Sequence, residues 1–263
     1  MRTIVRAIAR FWIRARGKAA TRIRGTSYWT DPYHIGFWRD VARDRWEPEL
    51  YDALQKHLRP DSVLADIGAW IGPTAIFAAR RCRKVYCFEP DPEAYRFLLW
   101  NVRLNGLQNV VPFNVALAAE AGIRRMVSPA GGLGDSKATL LPVLDASSGV
   151  DVPCVRWSEW LALPGLERPD FIKIDIEGGE FELLPTMGDY LLRERPTLHL
   201  SLHLPLLPEK DREHALAALL VAVGHYKGSY REDGTPVEAE EIKRVARTRL
   251  CSFLFTDEAH ASR

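Results

Sequence analysis

The 263 residues are 47% hydrophobic and 27% charged, with 18 Gly, 17 Pro and four cysteines. That length suits one large α/β unit with appendages, and the composition excludes collagen-like, wholly disordered and disulfide-scaffold chains. The formal charge of +2 hides an asymmetry: residues 1–25 hold Arg2, Arg6, Arg10, Arg14, Arg16, Lys18, Arg22 and Arg24 and no acid, so the rest of the chain is net negative. A general nucleic-acid binder is basic across its domain, so no nucleic-acid partner is expected. Cys82, Cys87, Cys154 and Cys251 show neither CxxC nor zinc-ligand spacing and read as reduced thiols of an intracellular protein.

At helical periodicity Arg2, Arg6, Arg10 and Arg14 oppose Ile4, Val5, Ile8, Phe11 and Trp12, with Ile13 out of phase. The spacing predicts a basic amphipathic helix over residues 1–25. An anionic membrane face is one partner for it; docking on the protein's own core and service as a transit segment are the alternatives. No run reaches the roughly 18 apolar residues of a membrane span, and the repeated Arg leaves no signal-peptide core. A cytoplasmic protein, peripheral at the membrane inner face at most, is expected.

Residues 26–46 are crowded with aromatics, and residues 47–263 read as the main domain. A helix is expected from Glu47 to Leu58, a strand over Ser62–Ile67 and a helix over Thr74–Arg81. Strand Lys84–Glu89, helix Pro92–Asn105 and strand Val110–Val115 follow. Residues 128–151 are rich in Gly, Ser and Pro and read as a surface loop, with a lid at 128–150. Strand Phe171–Ile176 precedes a helix, strand Leu198–Leu204 precedes helix Glu209–Val223, and His225–Tyr230 and Leu250–Phe255 close the chain as strands around a polar turn. This alternation predicts a doubly wound, mostly parallel sheet with helices on both faces, whose ligands bind beyond the carboxyl ends of the strands.

At the first strand end stands Asp66-Ile67-Gly68-Ala69-Trp70-Ile71-Gly72. Its D-x-G-x-x-x-G spacing allows a sharp turn close to a ligand and is not the dinucleotide G-x-G-x-x-G. Glu89, followed by Pro90, ends the next strand about 20 residues on, where a carboxylate suits ribose hydroxyls; Asn114 ends the third strand, where it can border an adenine. Tight-turn and helix-capping roles compete, but the set together predicts a bound nucleoside. In Phe171–Glu180, Lys173, Asp175 and Glu177 share one strand face. Charges there are costly unless paired or functional, and a Lys173–carboxylate pair is the competing reading. On the fifth strand His199 and His203 stand about 13 Å apart at roughly 3.3 Å per residue. Only His203 reaches the site end, and beside Asp175 or Glu177 it is a candidate general base.

The segments DIGAWIG (66–72), VYCFEPDPEAYRFLLWN (85–101), FNVAL (113–117), FIKIDIEGGE (171–180) and RPTLHLSLH (195–203) together resemble the FkbM family of S-adenosylmethionine-dependent O-methyltransferases. The resemblance covers about residues 47–225. It implies a seven-stranded Rossmann-like methyltransferase sheet with an antiparallel last strand. It also implies methyl transfer to a hydroxyl, often of a sugar or polyketide, here a small-molecule, glycan or lipid-linked acceptor. The family's cofactor-binding positions fall on Asp66, Gly68, Gly72 and Glu89, flanked by Ala69, Trp70, Pro90 and Asn114; its acidic signature falls on Asp175, Glu177 and Glu180. Trp70 stands where Asn is usual, Ser158 where an Asp is usual, and Ser201 where a Glu often precedes the histidine. A metal-free mechanism is expected, the alternative being a Mg²⁺ site on Asp175, Glu177 and His203. Trp29, Tyr33, His34 and Trp38 are the expected acceptor contacts, since flat aromatic faces suit sugar rings. Asp31-Pro32-Tyr33 superficially resembles the DPPY motif of amino-methylating nucleic-acid enzymes, but lacks one proline and precedes the glycine motif.

Overall fold

The computed structural model describes residues 12, 14–129, 131–142 and 149–258. Strands β1 (Ala19–Ile23) and β2 (Thr26–Thr30) form an antiparallel hairpin, its turn made by Arg24 and Gly25 at positive φ, as two-residue hairpin turns require. Helices α1 (Ile35–Val41) and α2 (Pro48–His57) lead to β3 (Val63–Ile67), α3 (Pro73–Ala78), β4 (Lys84–Phe88), α4 (Pro92–Leu104) and β5 (Val110–Phe113). β6 (Ala116–Leu117), β7 (Gly122–Met126) and β8 (Val150–Val155) make a separate small sheet in the order β6-β8-β7. After α5 (Trp157–Leu161) come β9 (Phe171–Ile174), α6 (Glu180–Thr186), α7 (Gly188–Glu194), β10 (Thr197–Leu202), α8 (Glu209–Val223), β11 (Gly228–Arg231), α9 (Ala239–Ala246) and β12 (Cys251–Thr256).

The main sheet runs β11-β12-β10-β9-β3-β4-β5, with β12 antiparallel to both neighbours and the other pairs parallel. The doubly wound architecture expected from the sequence is therefore present. Apolar side chains alternate to opposite faces: Ile172, Ile174, Leu198, Leu200 and Leu202 join one core, while Leu64, Val85, Phe171 and Leu254 join the other. Burial on both faces is what a parallel sheet requires.

Three expectations need correction. The helix expected to run through residue 25 ends by Ala15; Gly17 follows at φ 65, and residues 19–23 are strand β1. Arg2, Arg6 and Arg10, and the apolar face at Ile4, Val5, Ile8 and Phe11, lie outside the described residues. Of the basic side chains that are described, Arg14 stacks on Tyr33 at 5.1 Å and Lys18 on Trp29 at 4.1 Å. Arg24 pairs with Asp44 and Asp52. The strand expected over 110–115 breaks at Phe113, and Ala116–Leu117 leaves for the small sheet, whose other two strands the sequence reading missed. Finally, α9 occupies the supposed polar turn: Ile242, Val245 and Ala246 form a buried stripe, and Lys243–Glu240 and Arg244–Glu241 pair along the exposed face.

The aromatic segment is anchored rather than open. Asp31 is fully buried and accepts from the backbone N–H of Tyr33 and His34 and from Trp38 Nε1, while Asn101 of α4 donates to it. Trp38 is only 2% exposed. All four cysteines are free, and no helix among the described residues is long and apolar enough to cross a membrane.

Candidate active site

One cleft, open to solvent, lies beyond the carboxyl ends of β3, β4 and β9, where ligands of such sheets bind. Gly68, Trp70, Glu89, Pro90, Asp175 and Glu177 line it, as do Asp135, Ser136, Ala138, Leu140 and Leu141 from the loop expected to act as a lid. Gly68 sits at φ 82, and a Cβ there would meet the Asp175 carbonyl oxygen at 1.9 Å. Only glycine lets β3 turn this close to β9. Trp70, also at positive φ, donates its N–H to Glu89 Oε2 at 2.7 Å and its indole N–H to the Gly134 carbonyl at 2.9 Å. Phe37 and His34 pack against that indole, so the aromatic segment braces the cleft from behind.

Glu89 Oε1 accepts from Asp91 N–H at 2.8 Å, so both carboxylate oxygens are fixed by backbone donors. Burial pushes its pKa up to about 7, against the restraint of those two N–H groups. The lid loop is tied down by Gly134 N–H to Asp91 Oδ2 at 2.6 Å and by the Thr139 hydroxyl to the Glu177 carbonyl at 2.7 Å.

At the far end Glu180, wholly buried, organises three partners. Its Oε1 accepts from the His203 backbone N–H at 2.7 Å and lies 3.1 Å from His203 Nδ1; its Oε2 accepts from Gly178 N–H at 2.9 Å. His203 Nε2 then lies 3.6 Å from both Asp175 Oδ1 and Glu177 Oε2. Burial opposes the imidazolium, but Glu180, Asp175 and Glu177 outweigh it and push the pKa up to about 9. Asp175 and Glu177 were the expected orienting groups; Glu180 holds the ring instead. Lys173, buried mid-sheet, donates to the Gly68 carbonyl at 2.8 Å and pairs with Asp66 at 3.3 Å and Asp175 at 3.7 Å, so the pairing reading of Lys173 is correct.

Residues 66–225, more than half of the chain, match the Methyltransferase FkbM domain. The chain belongs to the FkbM methyltransferase family. It is 28% identical over 157 residues to the hexuronic acid methyltransferase AglP of Haloferax volcanii (59% of this chain, 61% of AglP). It is 29% identical over 153 residues to the 2-O-methyltransferase NoeI of Sinorhizobium fredii (52% of this chain, 62% of NoeI). A mouse tRNA (guanine(37)-N(1))-methyltransferase is 36% identical over only 80 residues, 29% of this chain and 16% of that enzyme. The chain thus spans about three fifths of the first two relatives. Among solved structures, the FkbM methyltransferase of Methylobacillus flagellatus superposes with a TM-score of 0.47 at 18% identity, covering 96% of this chain and 60% of that one.

S-adenosylmethionine is the cofactor of this FkbM domain, and the cleft fits it. The Gly68 turn and the Glu89 carboxylate stand on its wall, and the ionisable lining is acidic except for Arg124, which is paired with Glu182 at 2.8 Å. That lining suits a sulfonium and would repel a pyrophosphate. Other expected contacts stand elsewhere. Asp66 is fully buried behind the turn against Lys173; Ala69 packs in the core; Gly72, at φ 89, caps α3 against Leu98. Asn114 donates to the Glu89 and Pro90 carbonyls and so shapes the loop. Trp29, Tyr33, His34 and Trp38 do not line the cleft. Trp38 is core, and Tyr33 packs on Phe97 and Trp100. Arg124 was not legible because β7, which carries it, has no alternating pattern, and Glu182 reads as one more acid in the first turn of α6.

Proposed function

We propose that the chain methylates a hydroxyl of a sugar or glycan, with the acceptor seated at the Asp175–Glu177 end of the cleft. The observation carrying this reading is the continuity of the cleft, with Glu89 at one strand end and Asp175 and Glu177 at another. The name of AglP, a hexuronic acid methyltransferase, supports the acceptor class, and that of NoeI, a 2-O-methyltransferase, supports transfer to oxygen. When bound, S-adenosylmethionine supplies an electrophilic methyl whose C–S bond breaks, leaving the electron pair on sulfur, as the acceptor oxygen forms the new C–O bond. The chain's own task is to hold that oxygen in line, about 3–3.5 Å from the methyl carbon, and to take its proton. His203 is the candidate acceptor of the proton, through Nε2, with Glu180 fixing the ring. Its raised pKa leaves the ligand-free ring protonated at neutral pH, so it acts as a base only once that proton has left. The lid residues Asp135–Leu141 exclude water.

The test is incubation of the purified protein with labelled S-adenosylmethionine and a panel of hexuronate-containing glycans, neutral glycans and tRNA. The expected product is one methyl heavier and resists alkali, as an ether does. An alkali-labile ester or methylated tRNA would overturn the reading. His203→Ala should cost about 10²–10⁴ in kcat with cofactor affinity intact if His203 is the base.

A further inference from the structure

We propose that Asp175, Glu177 and His203 form a binding site for a divalent cation of the Mg²⁺/Mn²⁺ class, with Glu180 the positioning residue behind it. One donor atom from each of the three side chains lies within 4.8 Å of the other two. His203 Nε2 stands 3.6 Å from an oxygen of each carboxylate. Cis ligands of an octahedral ion with bonds of about 2.0–2.1 Å are about 3 Å apart, so a cation at the centre needs each donor to move by well under an ångström.

The imidazole distinguishes this set from an ordinary acidic surface cluster. Its side chain is 8% exposed, and Nε2 makes no hydrogen bond among the described residues; it points between the two carboxylates. Its other nitrogen is held by buried Glu180. A carboxylate on the far nitrogen is the arrangement that fixes the tautomer and ring orientation of a metal-bound histidine. Glu177 sits at φ 50 and Gly178 at φ 100, and Glu180 Oε2 holds the Gly178 N–H. One buried carboxylate thus fixes both the loop carrying Glu177 and the ring carrying Nε2.

Two carboxylate oxygens and one nitrogen leave three octahedral positions for water or acceptor hydroxyls. Asp175 and Glu177 are also part of the cleft wall, so an ion here meets the acceptor. The role of the ion rests on the methyl-transfer reading above; the existence of the site does not. An ion on Nε2 takes the place of the proton there, so His203 serves as the base only in the ion-free protein.

The experiment is a titration of the purified full chain with Mn²⁺, following the loss of the free-ion electron paramagnetic resonance signal, with S-adenosylmethionine binding measured by calorimetry in parallel. One saturable site is expected, displaced by excess Mg²⁺. Asp175→Asn and Glu177→Gln should each weaken Mn²⁺ at least about tenfold, and Glu180→Gln about 10–100-fold as an outer-shell partner, while Glu209→Gln on α8 leaves it unchanged. Selective broadening of the His203 ring protons in the unsubstituted protein provides a readout that needs no variant to fold. Absence of a saturable site, or broadening that spares His203, overturns the proposal. Cofactor binding without Mn²⁺ binding removes only the ion; Mn²⁺ binding without cofactor binding removes the methyl-transfer reading and leaves the site standing.

Discussion

Glu89 gives the sharpest test of the cofactor assignment. Its oxygens each accept one backbone N–H, from Trp70 at 2.7 Å and Asp91 at 2.8 Å. Glu89→Gln keeps the shape but turns an NH₂ toward one of those donors, and it removes the charge that strengthens bonds from ribose hydroxyls. Losing the charge-assisted bonds to the ribose hydroxyls costs about 1–3 kcal/mol, so the Kd for S-adenosylmethionine should rise about 5- to 150-fold. The pH dependence adds an independent signature. Burial lifts the carboxyl from 4.5 to about 7 in the free protein, whereas two hydroxyl donors favour the ionised form and pull it down. Below pH 7, binding must therefore release a proton, and the Kd should climb toward a limit of about tenfold per pH unit. The same shift makes the ligand-free protein less stable as pH rises from 4.5 to about 7, by about 3 kcal/mol in all. Calorimetry in two buffers of different ionisation enthalpy reads affinity and proton release together. Unchanged affinity in Glu89→Gln, or a wild-type Kd flat in pH with no proton release, would refute the assignment.

Gly68→Ala should abolish cofactor binding and lower stability by more than about 1 kcal/mol, because the new methyl meets the Asp175 carbonyl; chemical denaturation with calorimetry checks both. Trp70→Asn should fold normally, since Asn tolerates the left-handed conformation, yet release cofactor faster in stopped-flow, because the indole bond to Gly134 is lost; an unchanged release rate would count against a latched lid. Burial lowers the pKa of His199 to about 4, so acidification from 6.5 to 4 should destabilise the protein by up to about 3 kcal/mol. His199→Leu should flatten that part of the stability–pH curve, and an identical slope would exclude His199 as its source. For the basic arm, co-sedimentation with acidic vesicles should fall with salt and vanish when residues 1–15 are removed; sedimentation that survives the deletion assigns those residues another task.

The sheet was legible because parallel strands buried on both faces leave short apolar runs, as in Val63–Ile67 and Phe171–Ile174, punctuated by glycine turns. Gly68 and Glu89 were legible for a related reason: a close turn and an acid at adjacent strand ends have few other uses. Asp66 shows the limit. Its place in the motif suggested ligand contact, but its side chain faces away from the cleft toward Lys173, a pairing across β3 and β9 that no local pattern encodes. Trp38 failed for the opposite reason: an indole serves a core as well as a sugar, and buried Asp31, seven residues earlier, captures its N–H. The lid was recognised as a loop from its glycines and serine, but its attachment through Thr139 and Gly134 depends on where Asp91 and the Glu177 carbonyl lie in space.

Lys173 explains how the two halves of the site are held in register. Burying an ammonium in a sheet is costly, and this one stays charged because Asp66 and Asp175 stand beside it. Asp66 makes no hydrogen bond among the described residues, so its carboxylate depends on that one cation. Removing one partner of such a pair strands the other and typically costs about 3–5 kcal/mol. The ion pair is weak evidence of stabilisation, since apolar residues of similar volume often do as well. What an apolar residue cannot supply is the hydrogen bond to the Gly68 carbonyl, made by the same Nζ that stands 3.7 Å from Asp175. A single group therefore ties the glycine turn after β3 to the Asp175 carboxylate after β9. Lys173→Met, even if it folds, should loosen both ends at once, weakening S-adenosylmethionine and Mn²⁺ binding together, whereas Glu89→Gln touches only the first and Glu180→Gln only the second.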